Sequence, residues 1–320
     1  MFIVCAGECM LELTGGLGEL SRLTFGGDTF NTAVYLARLG FSPAFLTALG
    51  DDPYSQDLLA AWRAEGVGTE LVLRCAGRLP GLYAIRTESD GERRFFYWRS
   101  ASAACSLFSA PGCEAALTAA ASADLLFLSG ITLSLYPQAE RLRLCDLAAR
   151  VRSRGGHVAF DPNYRPHGWR SASEAHAAIR ELAPFVTTVL PTLQDESLLW
   201  GDASAEETAT RWSAWGAEEI VVKLGAGGAW VRSAQTQAHV PAVASVRALD
   251  TTGAGDAFNA GYLAMRARGR REVDAVRIAH TLAAAVVQHR GAIVPREATA
   301  EICAAAQAAP SAAAGSPSIS

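Results

Sequence analysis

Six short apolar runs, separated by stretches with helical patterning, limit what this chain can fold into more than any other feature. The runs are rich in β-branched or aromatic residues, lack strict alternation and end in small or polar residues. They span 2–6, 44–46, 125–128, 157–160, 188–190 and 220–223. Parallel strands that are buried on both faces have this pattern. We therefore predict a sheet whose strands are mostly parallel.

The intervening stretches predict helices at 31–39, 55–65, 138–154, 173–182 and 206–215. Glycines follow four of these stretches in the position of C-terminal caps, at Gly40, Gly66, Gly155 and Gly216. Alternating strands and helices indicate a doubly wound α/β fold, in which helices flank the sheet. Sheets of this class bind ligands at the carboxyl ends of their strands.

One region departs from this alternation. Segments 79–88 and 92–99 have strand patterning and are joined by Ser89-Asp90-Gly91, a sequence that favours a hairpin turn. Gly15, Gly16 and Gly18 precede another strand-like stretch at 20–25. We predict that 10–25 and 79–99 form a small β-sheet lid on a single domain spanning 1–303. Residues 304–320 are almost wholly Ala, Ser, Pro, Gly and Gln, which predicts a disordered tail.

Charge and composition exclude several classes of function. The 320-residue chain has a net charge of −4, so we expect no nucleic-acid partner. Its N-terminus lacks the features of a signal peptide and no run of 18 apolar residues occurs, so we expect a cytoplasmic protein with no membrane partner. The seven cysteines contain no C-x-x-C pair, which favours a reducing compartment over a disulfide framework.

The segment 250–261, with the sequence DTTGAGDAFNAG, carries the strongest functional signal. Gly253 and Gly255 allow backbone N–H groups to approach a phosphate, and the run after them predicts a helix. A helix N-terminus binds anions through its unpaired N–H donors and its dipole. Asp256 lies at this start, where it is either an N-terminal cap or a general base acting on a hydroxyl that attacks a phosphoryl group. Spacing alone favours the cap.

Two further glycine turns have open interpretations. The strand-like run 221–224 enters a loop containing Gly225, Gly227 and Gly228, which either lies against a nucleotide or forms an ordinary hairpin. Neither a Walker A loop nor a dinucleotide fingerprint is present, which argues against an NAD-dependent oxidoreductase. The stretch 26–31 either contacts a sugar through its glycines and polar side chains or simply caps the helix that follows.

These motifs resemble the signatures of a known family. The sequence DTTGAGDAF at 250–258 is similar to the second signature of the ribokinase-like (PfkB) carbohydrate kinases, and Gly26-Gly27 with Asn31 is similar to their first. The resemblance runs from Ile3 to Pro295. Six segments, at 7–10, 26–31, 79–83, 97–99, 161–166 and 290–293, resemble the members that act on 2-keto-3-deoxygluconate.

The resemblance implies a ribokinase-like fold and transfer of a phosphoryl group from ATP to the 6-hydroxyl of 2-keto-3-deoxygluconate, giving the 6-phosphate and ADP. It implies that Asp256 is the catalytic base and that Gly253, Ala254 and Gly255 form an anion hole. Mg²⁺ would bridge the phosphates. The residues implied for the nucleotide site are Asn163, Lys223, Gly225, Gly227 and Gly228.

The residues implied for the sugar-acid site are Gly26, Gly27, Asp28, Asn31, Tyr83, Tyr97, Arg99 and Arg165. Tyr97 and Arg99 are two apart on a strand and so project from one face, which suits a polyol that carries a carboxylate. Arg165 follows the strand at 157–160. Arg99 is otherwise a solvated charge at the lid edge. Arg165 is otherwise a structural salt bridge or a contact to the nucleotide phosphates.

Metal and partner sites leave weaker traces. Family members carry Asn-x-x-Glu near the metal; here Thr192 replaces the Asn, and either Asp195 or Glu196 would organise Mg²⁺ through water. Asp250 and Thr252, with the turn 290–293, are compatible with a K⁺ site. The exposed lid edge predicts a homo-oligomer held by β-pairing.

Two other functions stay open. One is a kinase of the same family that acts on fructose, ribose or a nucleoside, against which Tyr97, Arg99 and Arg165 argue. The other is a catalytically silent regulator that binds sugar or nucleotide, against which the intact Asp256 and its glycines argue.

Overall fold

The computed structural model describes residues 1–16, 20–87 and 93–308. In these ranges, the strands are β1 (Ile3–Ala6), β2 (Met10–Thr14), β3 (Arg22–Gly26), β4 (Pro43–Leu49), β5 (Val72–Arg74), β6 (Leu82–Thr87), β7 (Arg93–Trp98), β8 (Leu125–Ser129), β9 (His157–Asp161), β10 (Thr188–Val189), β11 (Glu219–Lys223), β12 (Ala229–Arg232) and β13 (Gln237–Val240). Each predicted run coincides with a strand, extended by several residues in β4. The predicted turn 89–91 and Gly18 lie outside the described residues.

Helices occupy the five predicted stretches, the run after Gly255 and several segments for which the sequence predicted no helix. They are α1 (Asp28–Arg38), α2 (Pro53–Glu65), α3 (Cys113–Ala120), α4 (Gly130–Ser134), α5 (Gln138–Ser153), α6 (Ala172–Leu182), α7 (Leu193–Trp200), α8 (Ala205–Ala214), α9 (Ala254–Ala267), α10 (Glu272–Val286) and α11 (Ala300–Ala308). Side-chain caps fix several starts, as where Asp52 accepts a hydrogen bond from Ser55 N–H. The four glycines predicted to follow helices all have positive φ, as C-terminal caps require. None of the described helices is long and apolar enough to cross a membrane.

The main sheet has the order β13-β12-β11-β10-β9-β8-β1-β4-β5 among the described strands. Pairing is parallel from β11 to β5, whereas the β11–β12 and β12–β13 pairs are antiparallel. Two apolar layers cover its faces. One contains Val151 and Trp212 of α5 and α8, and the other contains Phe30 and Tyr262 of α1 and α9. The predicted doubly wound, mostly parallel α/β fold is confirmed.

A separate small sheet has the order β3-β2-β6-β7. Its strands come from the two segments predicted to form a lid, and β2 pairs with β6 in parallel across about 70 intervening residues. The chain enters this sheet directly after β1, through Gly7, Glu8 and Cys9. The small sheet therefore stands beside the carboxyl ends of the central parallel strands.

The predicted tail from residue 304 is wrong for 304–308. These residues complete α11, where Cys303 and Ala306 are buried against the core and the Gln307 side chain donates a hydrogen bond to the Arg38 carbonyl. Alanine has the highest helix propensity, so an Ala-rich segment becomes helical once it has a surface to pack on. Residues 309–320 lie outside the described residues.

Candidate active site

A cleft of about 1300 Å³ lies between the small sheet and the carboxyl ends of the main-sheet strands. Cleft walls come from segments that are distant in sequence, as expected for a parallel α/β sheet. The predicted site residues that line it are Gly27, Asp28, Asn31, Tyr83, Tyr97, Arg99, Asn163, Arg165, Lys223, Asp250, Thr252, Gly253, Gly255 and Asp256. The structure thus brings the predicted base, sugar-acid residues and Lys223 into one space.

The start of α9 is set by Gly253. This residue is the N-terminal cap, with φ of 76°, and a Cβ there would lie 2.7 Å from the Cα and O of Ala292. Only glycine avoids both the backbone strain and this overlap. Asp256 is the third residue of the helix rather than its cap, so the capping interpretation of Asp256 is wrong. Its side chain lines the cleft at the first turn of the helix.

Two residues of α1 hold Asp256 in place. Asn31 Nδ2 donates a hydrogen bond of 2.8 Å to Asp256 Oδ2, and Thr32 Oγ1 donates one of 3.3 Å to the Asp256 carbonyl. Burial raises the pKa of Asp256 to about 8, and the neighbouring carboxylate of Asp28 adds to the rise. The Asn31 hydrogen bond acts in the opposite direction. A carboxyl group with a pKa near neutrality is suited to general base chemistry.

A buried network lies beneath the first turn of α9. Lys223 Nζ, at the end of β11, is 2.7 Å from Asp161 Oδ2 and 3.1 Å from Asn259 Oδ1. The Asn259 amide also donates to Asp161. A Cβ on Gly255 would lie 3.6 Å from Lys223 Nζ, so the ammonium group sits directly under the predicted anion hole. Neither Asp161 nor Asn259 is among the residues singled out from the sequence.

Asp28 and Asn163 meet on the opposite wall. Asn163 Nδ2 donates to Asp28 Oδ2 at 2.9 Å, and the Asn163 backbone N–H donates to Asp161 Oδ1 at 3.1 Å. Asn163 has a φ of 35°, which is uncommon outside glycine and which its side-chain hydrogen bonds support. Asn163 links Asp28 to Asp161 and also lines the cleft, and its contact with the nucleotide stays a prediction.

The residues predicted to bind the sugar acid lie partly on the small sheet and partly on the loop after β9. Tyr83 and Tyr97 are directly opposed on β6 and β7, and the Tyr97 ring stacks on His167 with centroids 5.4 Å apart. The Tyr83 hydroxyl hydrogen-bonds to Glu12, and burial raises the pKa of Tyr83 above its usual range. Burial also lowers the pKa of His167, an effect strengthened by Arg165.

Both predicted arginines are held by carboxylates. Arg99 donates to Glu8 through Nε at 2.8 Å, and its NH2 is 2.6 Å from the same oxygen. Arg165 NH1 is 3.1 Å from Asp195 Oδ1. Arg165 therefore does form the salt bridge that was its alternative interpretation, while its side chain also lines the cleft and is 45% exposed. Arg99 is not the solvated edge charge that the alternative required.

Asp195 and Glu196 are separated by the geometry of α7. Adjacent helical residues project about 100° apart, so the two carboxylates face different surroundings. Glu196 is fully buried, pairs with Arg211 at 2.5 Å and accepts a hydrogen bond from Trp212 Nε1. Burial raises its pKa to about 7. The prediction that Glu196 organises a metal at the cleft is therefore wrong, because its side chain is turned into the core.

Two other glycine segments also lie outside the lining of the cleft. Gly225 to Gly227 form a 3-10 turn that connects β11 to the antiparallel β12, which is the ordinary hairpin interpretation. Gly228 closes this hairpin, where a Cβ would lie 2.2 Å from the Val240 carbonyl. Gly26 packs against Tyr83, and a Cβ at position 26 would lie 3.0 Å from the Tyr83 hydroxyl. Its role is to let the tyrosine approach.

Asp250 organises the loop that precedes α9. Its Oδ1 accepts hydrogen bonds from the backbone N–H and the hydroxyl of Thr252, and its Oδ2 accepts one from Gly291 N–H. The side chain therefore joins the 250–253 turn to the 290–293 turn. Both turns border the cleft.

The sequence matches the description "pfkB family carbohydrate kinase" over residues 2–299. The chain belongs to this family of carbohydrate kinases. A 2-dehydro-3-deoxygluconokinase of Dickeya dadantii is 41% identical over 304 residues, covering 92% of this kinase and 97% of the relative. The Escherichia coli K12 protein of the same name is 42% identical over 303 residues, covering 92% and 98%. 2-Dehydro-3-deoxygluconate and 2-keto-3-deoxygluconate are two names for one compound.

Solved structures give the same fold. A PfkB protein from Polaromonas sp. JS666 superposes on this kinase with a TM-score of 0.80 at 28% identity, covering 92% of this chain and 97% of that one. A 2-dehydro-3-deoxygluconokinase from Thermotoga maritima has a TM-score of 0.80 at 20% identity, covering 95% and 98%. These similarities confirm the ribokinase-like architecture that the sequence predicted.

Proposed function

We propose that this kinase transfers the γ-phosphoryl group of ATP to the 6-hydroxyl of 2-keto-3-deoxygluconate, with Asp256 as general base. One observation carries the proposal: the Asp256 carboxylate, with its pKa raised to about 8, stands in the cleft at the N-terminus of α9. The two relatives of more than 40% identity that bear this activity in their names support the choice of substrate.

The chemistry follows from where the groups stand. Asp256 removes the proton of the primary hydroxyl as its oxygen attacks the terminal phosphorus, and the ADP oxygen departs. The N–H groups of Gly253 and Gly255, with Lys223 beneath them, stabilise the charge on the transferred group. The Ala254 N–H, predicted to join them, donates instead to the Thr251 carbonyl at 3.2 Å. Tyr97, Arg99 and Arg165 bind the sugar acid at the opposite end of the cleft, which keeps its primary hydroxyl toward Asp256.

The described residues fit Mg²⁺ held mainly by the nucleotide. No cluster of three or more His, Cys, Asp or Glu side chains suited to a metal occurs in the described ranges. Mg²⁺ retains several waters and binds through one or two carboxylates plus substrate phosphates, so Asp195 is the protein group we assign to it. Bound Mg²⁺ supplies charge neutralisation at the phosphates. We assign K⁺ to the carbonyl groups of the turns that Asp250 and Thr252 order.

We also propose that the kinase forms a homo-oligomer through the small sheet. β7 is an edge strand in this sheet, and Phe96 and Trp98 on it are 41% and 61% exposed. Edge strands with exposed aromatic residues favour pairing with a second chain. Light scattering on the purified protein, with Trp98→Lys as the disrupting variant, tests this assembly.

A substrate panel tests the reaction. ADP release is measured with ATP and 2-keto-3-deoxygluconate, fructose, ribose or a nucleoside. We expect the sugar acid to have the highest kcat/KM. Faster turnover of a neutral sugar would contradict the substrate assignment, and ATP binding without turnover of any acceptor would favour a silent regulator.

A further inference from the structure

Glu8 is a buried carboxylate in the cleft whose two oxygens have different surroundings. It follows β1 by two residues, and its side chain is 1% exposed. Oε2 accepts from Arg99 at 2.8 Å and is held in this ion pair. Oε1 has no hydrogen-bond donor among the described residues.

An unpaired, buried carboxylate oxygen is costly, and such atoms are rare in folded proteins. The position of Oε1 depends on Gly81, because a Cβ there would lie 2.7 Å from this oxygen. Glu8 also lines the cleft. Within the described part of the chain, Glu8 Oε1 is therefore a free hydrogen-bond acceptor on the side of the cleft where Arg99 lies. A bound molecule could supply the missing donor.

The sugar acid supplies one suitable donor at this place, an argument that rests on the proposed function. Its carboxylate, C1, lies toward Arg99, and its reacting hydroxyl, C6, lies toward Asp256. A carboxylate oxygen can only accept hydrogen bonds. In the open-chain form of the substrate, the C2 carbonyl and the C3 methylene offer no hydroxyl. The first donor after the carboxylate is the hydroxyl on C4.

We propose that Glu8 is a specificity residue: Oε1 accepts a hydrogen bond from the C4 hydroxyl, while Oε2 positions Arg99 for the carboxylate. 2-Keto-3-deoxygluconate and 2-keto-3-deoxygalactonate differ only in the configuration at C4. Glu8 therefore contacts the C4 hydroxyl, whose configuration distinguishes the two acids. The ion pair with Arg99 and the close approach to Gly81 restrict the position of Glu8 Oε1. This oxygen therefore cannot move far enough to bond a C4 hydroxyl of the opposite configuration.

The test measures kcat/KM for both epimers and for the 4-deoxy analogue, with wild type, Glu8→Ala and Glu8→Gln. We expect wild type to lose about 10- to 100-fold on removal of the C4 hydroxyl, the range for a hydrogen bond to a charged group. In Glu8→Ala, removal of the C4 hydroxyl should lower kcat/KM by less than about threefold. The kcat/KM values for the two epimers should become nearly equal. Arg165→Gln is the control. It should lower kcat/KM for both epimers by the same factor and leave the ratio of the two kcat/KM values unchanged.

Thermal melting and the KM for ATP report whether each variant is folded. If Glu8→Ala does not fold, Glu8→Gln decides, because loss of the negative charge weakens the C4 contact and lowers the epimer ratio at least about threefold. Unchanged discrimination in the folded variant overturns the role of Glu8 while leaving the kinase activity intact. If wild type phosphorylates neither acid, the proposed function fails, and the C4 assignment fails with it.

Discussion

The raised pKa of Asp256 predicts a steep acidic limb in the activity of the free enzyme. The group must be ionised to accept a proton, and burial together with Asp28 and Asp161 raises its pKa to about 8. The ionised fraction is then about one half at pH 8 and about 1% at pH 6, so the rate should fall about 50-fold across this interval. An ordinary aspartate would give no change there.

The assay is ADP release with both substrates held well below their KM values, so that the rate reports the ligand-free enzyme. Two variants test the electrostatic cause. Asp28→Asn removes a like charge and should move the limb to lower pH, whereas Lys223→Met removes the nearby cation and should move it to higher pH. Protonation of ATP changes with pH in the same way for the wild type and both variants. It therefore does not affect the difference between their pH profiles. A flat profile between pH 6 and 8, or a shift of both variants in one direction, would refute the reasoning.

Three further outcomes are expected. Asp256→Asn should lower kcat by about 10²–10⁴ while calorimetry still detects ATP binding; near-normal turnover would remove the base assignment. Gly253→Ala should lower both kcat and the melting temperature more than Gly77→Ala, because both glycines have positive φ but only the first would meet neighbouring atoms. Arg211→Leu should lower the free energy of unfolding by about 3 kcal/mol in denaturant titrations, because it leaves Glu196 buried without its cation. An altered Mg²⁺ dependence of activity in this variant would contradict the structural role of Glu196.

Six strands of the main sheet and the helices between them were predictable because a buried parallel sheet imposes a strong local pattern, whereas β5, β12 and β13 were not predicted. Apolar runs mark β1, β8 and β9, and their polar ends mark the side on which the cleft lies. The segment 250–256 was also recognisable, since a glycine turn before a helix has a direct consequence for anion binding. Both signals are local in sequence and need no knowledge of packing.

The errors arose where tertiary packing decides. Asp195 and Glu196 are equivalent as sequence, and only the rotation of α7 turns Glu196 toward Arg211. The cap and base interpretations of Asp256 differ by a few residues in the start of α9. Glu8 lies in the segment 7–10, and the sequence predicted no separate role for it, although a charged residue just after a central strand is a signal that could have found it. Asp161 has the same signal at the end of β9.

The proposed base is held in place by residues that are far from it in the sequence. Asn31 and Asp256 meet across 225 positions, with Thr32 pairing beside them. A growing polypeptide contains α1 long before α9 has been made. An unfinished chain on the ribosome therefore lacks the carboxylate that we propose as the base.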